Sequence, residues 1–389
     1  MDTHWPQWLI KSFVSANQPQ FANVETAYYG PYMRLLYHLF GLEGPFKITP
    51  QYEIHEKDRD LIDVIASFTV ELDEHPVLFI EVKAPAPIAL DSRRKQADDE
   101  MRDRFLDLHL NVVAPRLHGI SVFGTRMAFY EYVAATKELT PHRISLDPVF
   151  LNDLAPAERW SYDLLEANGI AKMCEVVEDV KSNTQIMTPL VISSLHVHDA
   201  MDTPWPQWLI NPFVSANQHR ADESIYYGPY TQLLYYLFDL EGPFEISPQY
   251  YFPPTSRYDY DVVALFTVEL DKHPVFFIEV KRAANFARKY DRKLADNQMR
   301  VHFRDHRHNL VTPRLPGISA FGTRMAFYEY VAATNTLTPS AISTNPDYIL
   351  SDYEAPVERW GYDLLEADGI AKMREVAEDV KAMCQARNK

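Results

Sequence analysis

The chain carries nearly the same sequence twice. MDTHWPQWLIKSFVSANQ at 1–18 returns as MDTPWPQWLINPFVSANQ at 201–218, and YYGPYMRLLYHLF returns as YYGPYTQLLYYLF. HGISVFGTRMAFYEYVAAT and PAERWSYDLLEANGIAKM also recur with few changes. This period is too long for a solenoid, so each copy must close a core of its own. The segment KSNTQIMTPLVISSLHVHDA at 181–200 has no partner in the last copy. It is polar, lacks a periodic pattern and reads as a linker. The expected organisation is a domain at 1–180, a linker at 181–200 and a domain at 201–389, with the two halves packed on each other as a pseudo-dimer.

Composition bounds the function classes. The 389 residues are 47% hydrophobic and 24% charged, as in a globular protein with real cores. No apolar run reaches membrane-spanning length, so no membrane partner is expected. The start, MDTHWPQWLIKSF, has none of the features of a secretory leader. The two cysteines, Cys174 and Cys384, form neither a zinc motif nor a disulfide framework. An intracellular setting, cytoplasm or nucleus, is expected. The net charge of −16 weighs against nonspecific coating of nucleic acid, but it leaves room for a local basic groove.

Within one half, Pro31 opens a helix with an apolar stripe at Leu35, Leu36, Leu39 and Phe40, ended by Gly41 and Gly44. PFKITPQYEI, DVIASFTVEL and PVLFIEVK read as three strands, the last two joined at DEHP. RRKQADDEMRDRFLDLHL reads as a helix with charge on most faces. ISVFGTRMAFYEYV reads as a hairpin with an ordinary turn at Gly124-Thr125-Arg126. The half closes on helix, expected to break near Asn168-Gly169. The class is α/β: a central mixed sheet flanked by helices, in two tandem copies.

Alternation places the chemistry. Side chains of even and odd positions on a strand face opposite sides of the sheet. The even positions Val64, Ala66, Phe68, Val70 and Leu72 are apolar, as are Leu78, Ile80 and Val82 on the next strand. One face is therefore core, and the other gathers Asp63, Glu81 and Lys83. The second half repeats this with Asp261, Glu279 and Lys281. Pairing even with even requires an odd-length loop or a bulge near His75-Pro76. Two carboxylates and an ammonium on a covered sheet must pair or bind something. A divalent cation relieves the repulsion between carboxylates, and oxygen ligands suit Mg²⁺. The blander reading is a structural Glu81–Lys83 ion pair at a strand end.

Asp63 followed by Glu81-Val82-Lys83 on the next strand resembles the PD-(D/E)xK nuclease superfamily, the restriction-endonuclease-like fold. The resemblance covers roughly 25–133 and 223–331. It implies two restriction-endonuclease-like α/β sandwich domains. It also implies Mg²⁺ or Mn²⁺ held by Asp63 and Glu81, and by Asp261 and Glu279. Lys83 and Lys281 would serve the water that attacks a phosphodiester of DNA or RNA. Glu25 and Glu223 resemble the accessory acid that many members place on the first helix. No proline precedes either aspartate. Gln96 and Gln298, on the helix after the lysine, occupy different positions of the repeat, facing Leu294 and Glu100 in alignment. Two other readings stand beside the nuclease: a catalytically inactive binding module of the same fold, and a metal-dependent enzyme acting on a small molecule.

The helix after the second site is basic, with Arg282, Arg288, Lys289, Arg292 and Lys293 near its start. These are the candidates for nucleic-acid backbone contact, against the plainer reading of a solvated face. His302, His306 and His308 are read as surface histidines. The Trp-Pro-Gln-Trp and Glu-Arg-Trp elements are read as packing rather than as stacking platforms for bases.

Overall fold

In the computed structural model the chain divides into two compact units, Met1–Ser194 and Leu195–Lys389. The structure describes residues 4–54, 64–143, 156–184, 204–219, 223–251, 263–341 and 356–387. Asp63 and Asp261 lie outside these residues.

The first unit runs α1 (Gln7–Ala16), α2 (Tyr29–Phe40), β1 (Phe46–Ile54), β2 (Val64–Leu72), β3 (His75–Lys83), α3 (Asp91–Leu108), β4 (Arg116–Phe123), β5 (Arg126–Val133), β6 (Glu138–Thr140), β7 (Tyr162–Asp163) and α4 (Ala167–Thr184). The strands form one seven-stranded sheet of order β1-β2-β3-β4-β5-β6, with β7 beside β5. All neighbours are antiparallel except the central pair, β3 and β4. A parallel pair needs a crossover, and α3 supplies it.

The second unit repeats the plan. It runs α5 (Gln207–Ala216), α6 (Tyr227–Phe238), β8 (Phe244–Tyr251), β9 (Val263–Leu270), β10 (His273–Lys281), α7 (Lys289–His306), β11 (Arg314–Phe321), β12 (Arg324–Val331), β13 (Thr336–Thr338), β14 (Tyr362–Asp363) and α8 (Ala367–Arg387). Among the described residues no helix is long and apolar enough to cross a membrane.

Of the two devices the alternation allows, an odd-length loop or a bulge, the structure uses the bulge. Phe68 lies opposite Ile80 and Val70 opposite Leu78, but Glu71 lies opposite Pro76, so Val77 is the extra residue. In the second unit the register shifts between Pro274 and Phe276. Asp73 and Glu74 both have positive φ, as do Asp271 and Lys272, which gives each hairpin a tight two-residue turn.

Parity assigned one face of the hairpin to the core, yet the structure covers both. On the even face Phe68, Val70, Leu78, Ile80 and Val82 are buried, and Tyr29 of α2 meets Phe68 edge-on at 6.1 Å. On the odd face Phe79 packs under Ala97, Met101 and Phe105 of α3, residues spaced i, i+4, i+8. The close approach of α3 requires Gly119 on β4. A Cβ there would stand 2.7 Å from both Met101 Cε and Phe79 Cζ.

The charge on α3 is not merely solvated. Asp98 is 1% exposed and takes 2.9 Å hydrogen bonds from Arg102 Nε and Tyr130 Oη, plus an ion pair with Arg159. Arg102 also donates to the carbonyl of Pro141 at 2.9 Å. Asp296 repeats this with Arg300, Tyr328 and Arg359. A polar helix is thereby tied to the sheet and to the segment following it.

Two local expectations change. The expected break near Asn168-Gly169 is instead a helix start, with α4 running unbroken from Ala167. Gly169 is there for space: an added Cβ would lie 1.9 Å from the Asp163 carbonyl oxygen. The first four residues of the expected linker, 181–184, belong to α4. The tryptophans pack as read. Trp160 is fully buried and donates to Ser121 Oγ at 3.2 Å, and Trp5 donates to the Leu164 carbonyl at 2.7 Å.

Removing one partner of a buried ionic network leaves the others uncompensated, at a cost of about 3–5 kcal/mol. Asp98→Asn is therefore expected to lower the unfolding free energy of the first unit by that order, read as a lower urea midpoint, and Asp296→Asn that of the second. An unchanged midpoint in either variant would show that the network is dispensable.

Candidate functional site

Glu81 and Lys83 occupy the last turn of the pleat on β3, beside the parallel strand β4, where Glu81 lies opposite Ser121. Both point to the odd face, beneath α3. Glu81 is 2% exposed. Lys83 keeps an 18% exposed side chain and forms the solvent edge of the group with half-buried Glu25. In the second unit Glu279 is fully buried and the Lys281 side chain is 11% exposed.

The helix supplies partners that the strand pattern did not reveal. Glu100 of α3 forms an ion pair with Lys83. Gln96, one turn earlier, donates to Glu100 Oε1 at 2.8 Å and accepts from Arg93, so it orients the carboxylate. Arg104, one turn later and 4% exposed, brings Nε to 4.0 Å from Glu81 Oε1, the outer limit of an ion pair. Its signal in the sequence was a run of charge at helical spacing beside Ala97, Met101 and Phe105.

The second unit arranges the same positions differently. Gln298 replaces Glu100 and hydrogen-bonds Lys281. Lys281 Nζ stands 2.8 Å from Glu279 Oε1, an ion pair at an angle outside hydrogen-bond geometry. His302 replaces Arg104 and brings Nε2 to 3.7 Å from the same oxygen. The reading of three surface histidines therefore fails at His302, which is 3% exposed. His306 is half-buried, 5.6 Å from the Phe277 ring, and burial beside His302 pushes its pKa down to about 4. His308 is exposed as expected.

These neighbours set opposite proton affinities on equivalent glutamates. Burial pushes the Glu81 carboxyl up; Lys83 pulls it back, Glu100 and Glu25 push it further, and it stands at about 8. Burial also pushes Glu279 up, but Lys281 and His302 outweigh it and hold the group below the usual carboxylate range. Burial alone would lower the Lys83 ammonium, yet Glu100 and Glu81 raise it above the ordinary lysine value. Lys83 is thus a fixed cation at neutral pH.

Glu25 begins a short 3₁₀ turn ahead of α2 and accepts from Tyr29 Oη at 2.9 Å. Glu223 accepts from Tyr227 Oη at 3.0 Å. The charges of Glu25 reach both Glu81 and Lys83. Glu81 Oε2 and Glu279 Oε2 are buried without a hydrogen-bond partner. Among the described residues no three His, Cys, Asp or Glu side chains converge as a complete metal site.

The basic candidates separate. Arg282, Arg288 and Lys289 are exposed and Lys293 is half-buried at the start of α7. Arg292 is 5% exposed, donates to the Phe286 carbonyl at 2.6 Å and stacks on the Phe286 ring. It braces the helix and leaves the surface set. Gly124 and Thr125 form the β4–β5 turn as expected, and Arg126 donates to the Trp160 carbonyl at 3.0 Å.

The two glutamates predict opposite stability effects. With its folded pKa raised, Glu81 contributes stability below its ordinary value that is lost as pH rises through about 8. Glu81→Gln should gain on the parent chain by on the order of 4 kcal/mol between about pH 5 and pH 9. Glu279, held low, contributes stability above its ordinary value that is lost as pH falls through the depressed one. Glu279→Gln should destabilise at neutral pH, with the gap closing in acid. Urea titrations across this range check both signs, and parallel pH profiles for the two variants would refute the assignment.

Compared with known proteins, the chain matches no family model and no curated protein.

Proposed function

We propose that the chain is a divalent-metal-dependent nuclease of the restriction-endonuclease-like type, hydrolysing phosphodiester bonds in DNA or RNA. The observation that carries this reading is Glu81: a buried carboxylate with one oxygen unpartnered, a fixed ammonium two residues along, and further carboxylates from Glu100 and Glu25 around it. A carboxyl pushed up to about 8, first by burial and then by Glu100 and Glu25 beside it, is one that a further cation would favour. Mg²⁺ or Mn²⁺ fits that need, held by Glu81 and by Asp63, which precedes β2. When bound, the ion polarises a phosphate oxygen and makes its water more acidic.

The chain's own groups do the remaining work. Lys83 keeps its proton at neutral pH, so its role is to donate to a phosphate oxygen as negative charge develops there, rather than to abstract a proton. Glu100 positions that ammonium, and Gln96 positions Glu100. Glu25, on a separate element and held by Tyr29, stands on the solvent side as the accessory acid. The exposed Arg282, Arg288 and Lys289 offer charge to a nucleic-acid backbone.

Cleavage of assorted DNA and RNA with and without Mg²⁺ or Mn²⁺ tests the reading. Lys83→Ala is expected to lower the metal-dependent rate by about 100-fold, as loss of one charge-stabilising donor does. Cleavage that persists in chelator, or that survives Lys83→Ala combined with Lys281→Ala, would sink the proposal. Reversing Arg288 and Lys289 to glutamate should weaken nucleic-acid binding and flatten its salt dependence. Equal binding and slope would remove α7 from the interface.

A further inference from the structure

We infer that the two units are unequal cation sites: the first takes the divalent ion tightly, the second weakly, and the residue that decides is Glu100 against Gln298. This rests on the metal-site reading above and deepens it.

The glutamates are equivalent in position. Each is buried beside a parallel strand, with Oε2 unpartnered. What differs is where the lysine goes. Glu100 draws the Lys83 ammonium into an ion pair on α3. Glu81 then has Arg104 Nε at 4.0 Å from its Oε1 and feels the Lys83 charge from the ammonium's place on Glu100. Glu100 also adds a carboxylate to the group. Gln298 accepts a hydrogen bond from Lys281 but carries no charge to draw the ammonium away, so Lys281 also lies 2.8 Å from Glu279 Oε1, with His302 Nε2 3.7 Å from the same oxygen. A divalent ion entering the second unit must displace an ammonium already seated on its ligand. In the first unit the ammonium is seated elsewhere. Coulomb attraction falls with distance, so a cation at 2.8 Å compensates a carboxylate far better than one at 4.0 Å.

Mn²⁺ titration of the full chain by calorimetry, at neutral pH, tests this. The expected result is one tight ion per chain, abolished by Glu81→Gln and retained in Glu279→Gln. Glu100→Gln should weaken the tight site by about tenfold or more, as loss of a supporting group around a metal ligand does. Gln298→Glu should create a second tight site. The Mn²⁺-induced rise in melting temperature of each variant confirms that a folded protein is being titrated. Two sites of equal affinity, or a tight site lost in Glu279→Gln rather than in Glu81→Gln, would overturn the inference while leaving the metal reading in place. No Mn²⁺ bound by the parent chain would overturn both. Tight, unequal binding without any cleavage would uphold the inference and remove the nuclease.

Discussion

A carboxylate and an ammonium buried at the end of a central strand are the constraint on which each unit turns. Glu81 and Lys83 share one pleat face with Phe79, and the same helix must cover all three. A purely apolar helix would bury the charges without partners, at several kcal/mol each. A purely polar one would leave Phe79 and Gly119 without a lid. The chain resolves this with a helix of mixed faces. The parallel arrangement of β3 and β4 makes that helix obligatory, because no short turn joins parallel neighbours.

Much of the plan is legible in the sequence because it rests on period and repetition. Alternation set the register of β2 and β3 closely enough to require an odd-length loop or a bulge near His75-Pro76, and the structure answers with a bulge whose extra residue is Val77. The doubled text divides the chain into two similar halves, and two compact units are present. What escaped is what period does not encode. The odd face of the hairpin is open by alternation, since Ser67, Thr69 and Glu71 are polar, yet Phe79 binds α3 there. Buried Asp98, Arg104 and His302 were hidden because charged residues are read as exposed until a partner is known. Their partners, Tyr130, Arg159, Glu81 and Glu279, are distant in sequence. The helix start at Ala167 was obscured by Gly169, a helix breaker by propensity that is required here by the Asp163 carbonyl.

Differences between the two copies show which contacts behave as units. On β1 and β2, Lys47 lies 3.4 Å from Glu71 across the strands. In the second unit the equivalent pair is Glu245 opposite Glu269, and Lys272 now supplies the positive partner of Glu245. Burial, with Glu245 close by, leaves Glu269 pushed up to about 7. Sign has moved around the cluster while compensation is kept in part. Electrostatic contacts of this kind are exchangeable; the apolar face behind them is not.

The same separation runs along a single helix. At 3.6 residues per turn, positions 98 and 100 stand about 200° apart, so α3 presents two different rims on either side of Ala97, Met101 and Phe105. One rim carries Arg94, Asp98 and Arg102 and recurs as Arg292, Asp296 and Arg300; the two aspartates keep equivalent partners and the two leading arginines donate to equivalent carbonyls, Ile88 and Phe286, although Arg94 also pairs with Asp91, whose place Lys289 takes. The other carries Gln96, Glu100 and Arg104, and every member differs in the second unit: Leu294, Gln298 and His302. The first rim docks the helix on the sheet, and any change there strands a buried charge. The second faces Glu81 and Lys83, where a change redistributes charge without undocking the helix. Because the duplicated fold assigns docking and site chemistry to opposite rims, the two sites were free to diverge while the two folds were not.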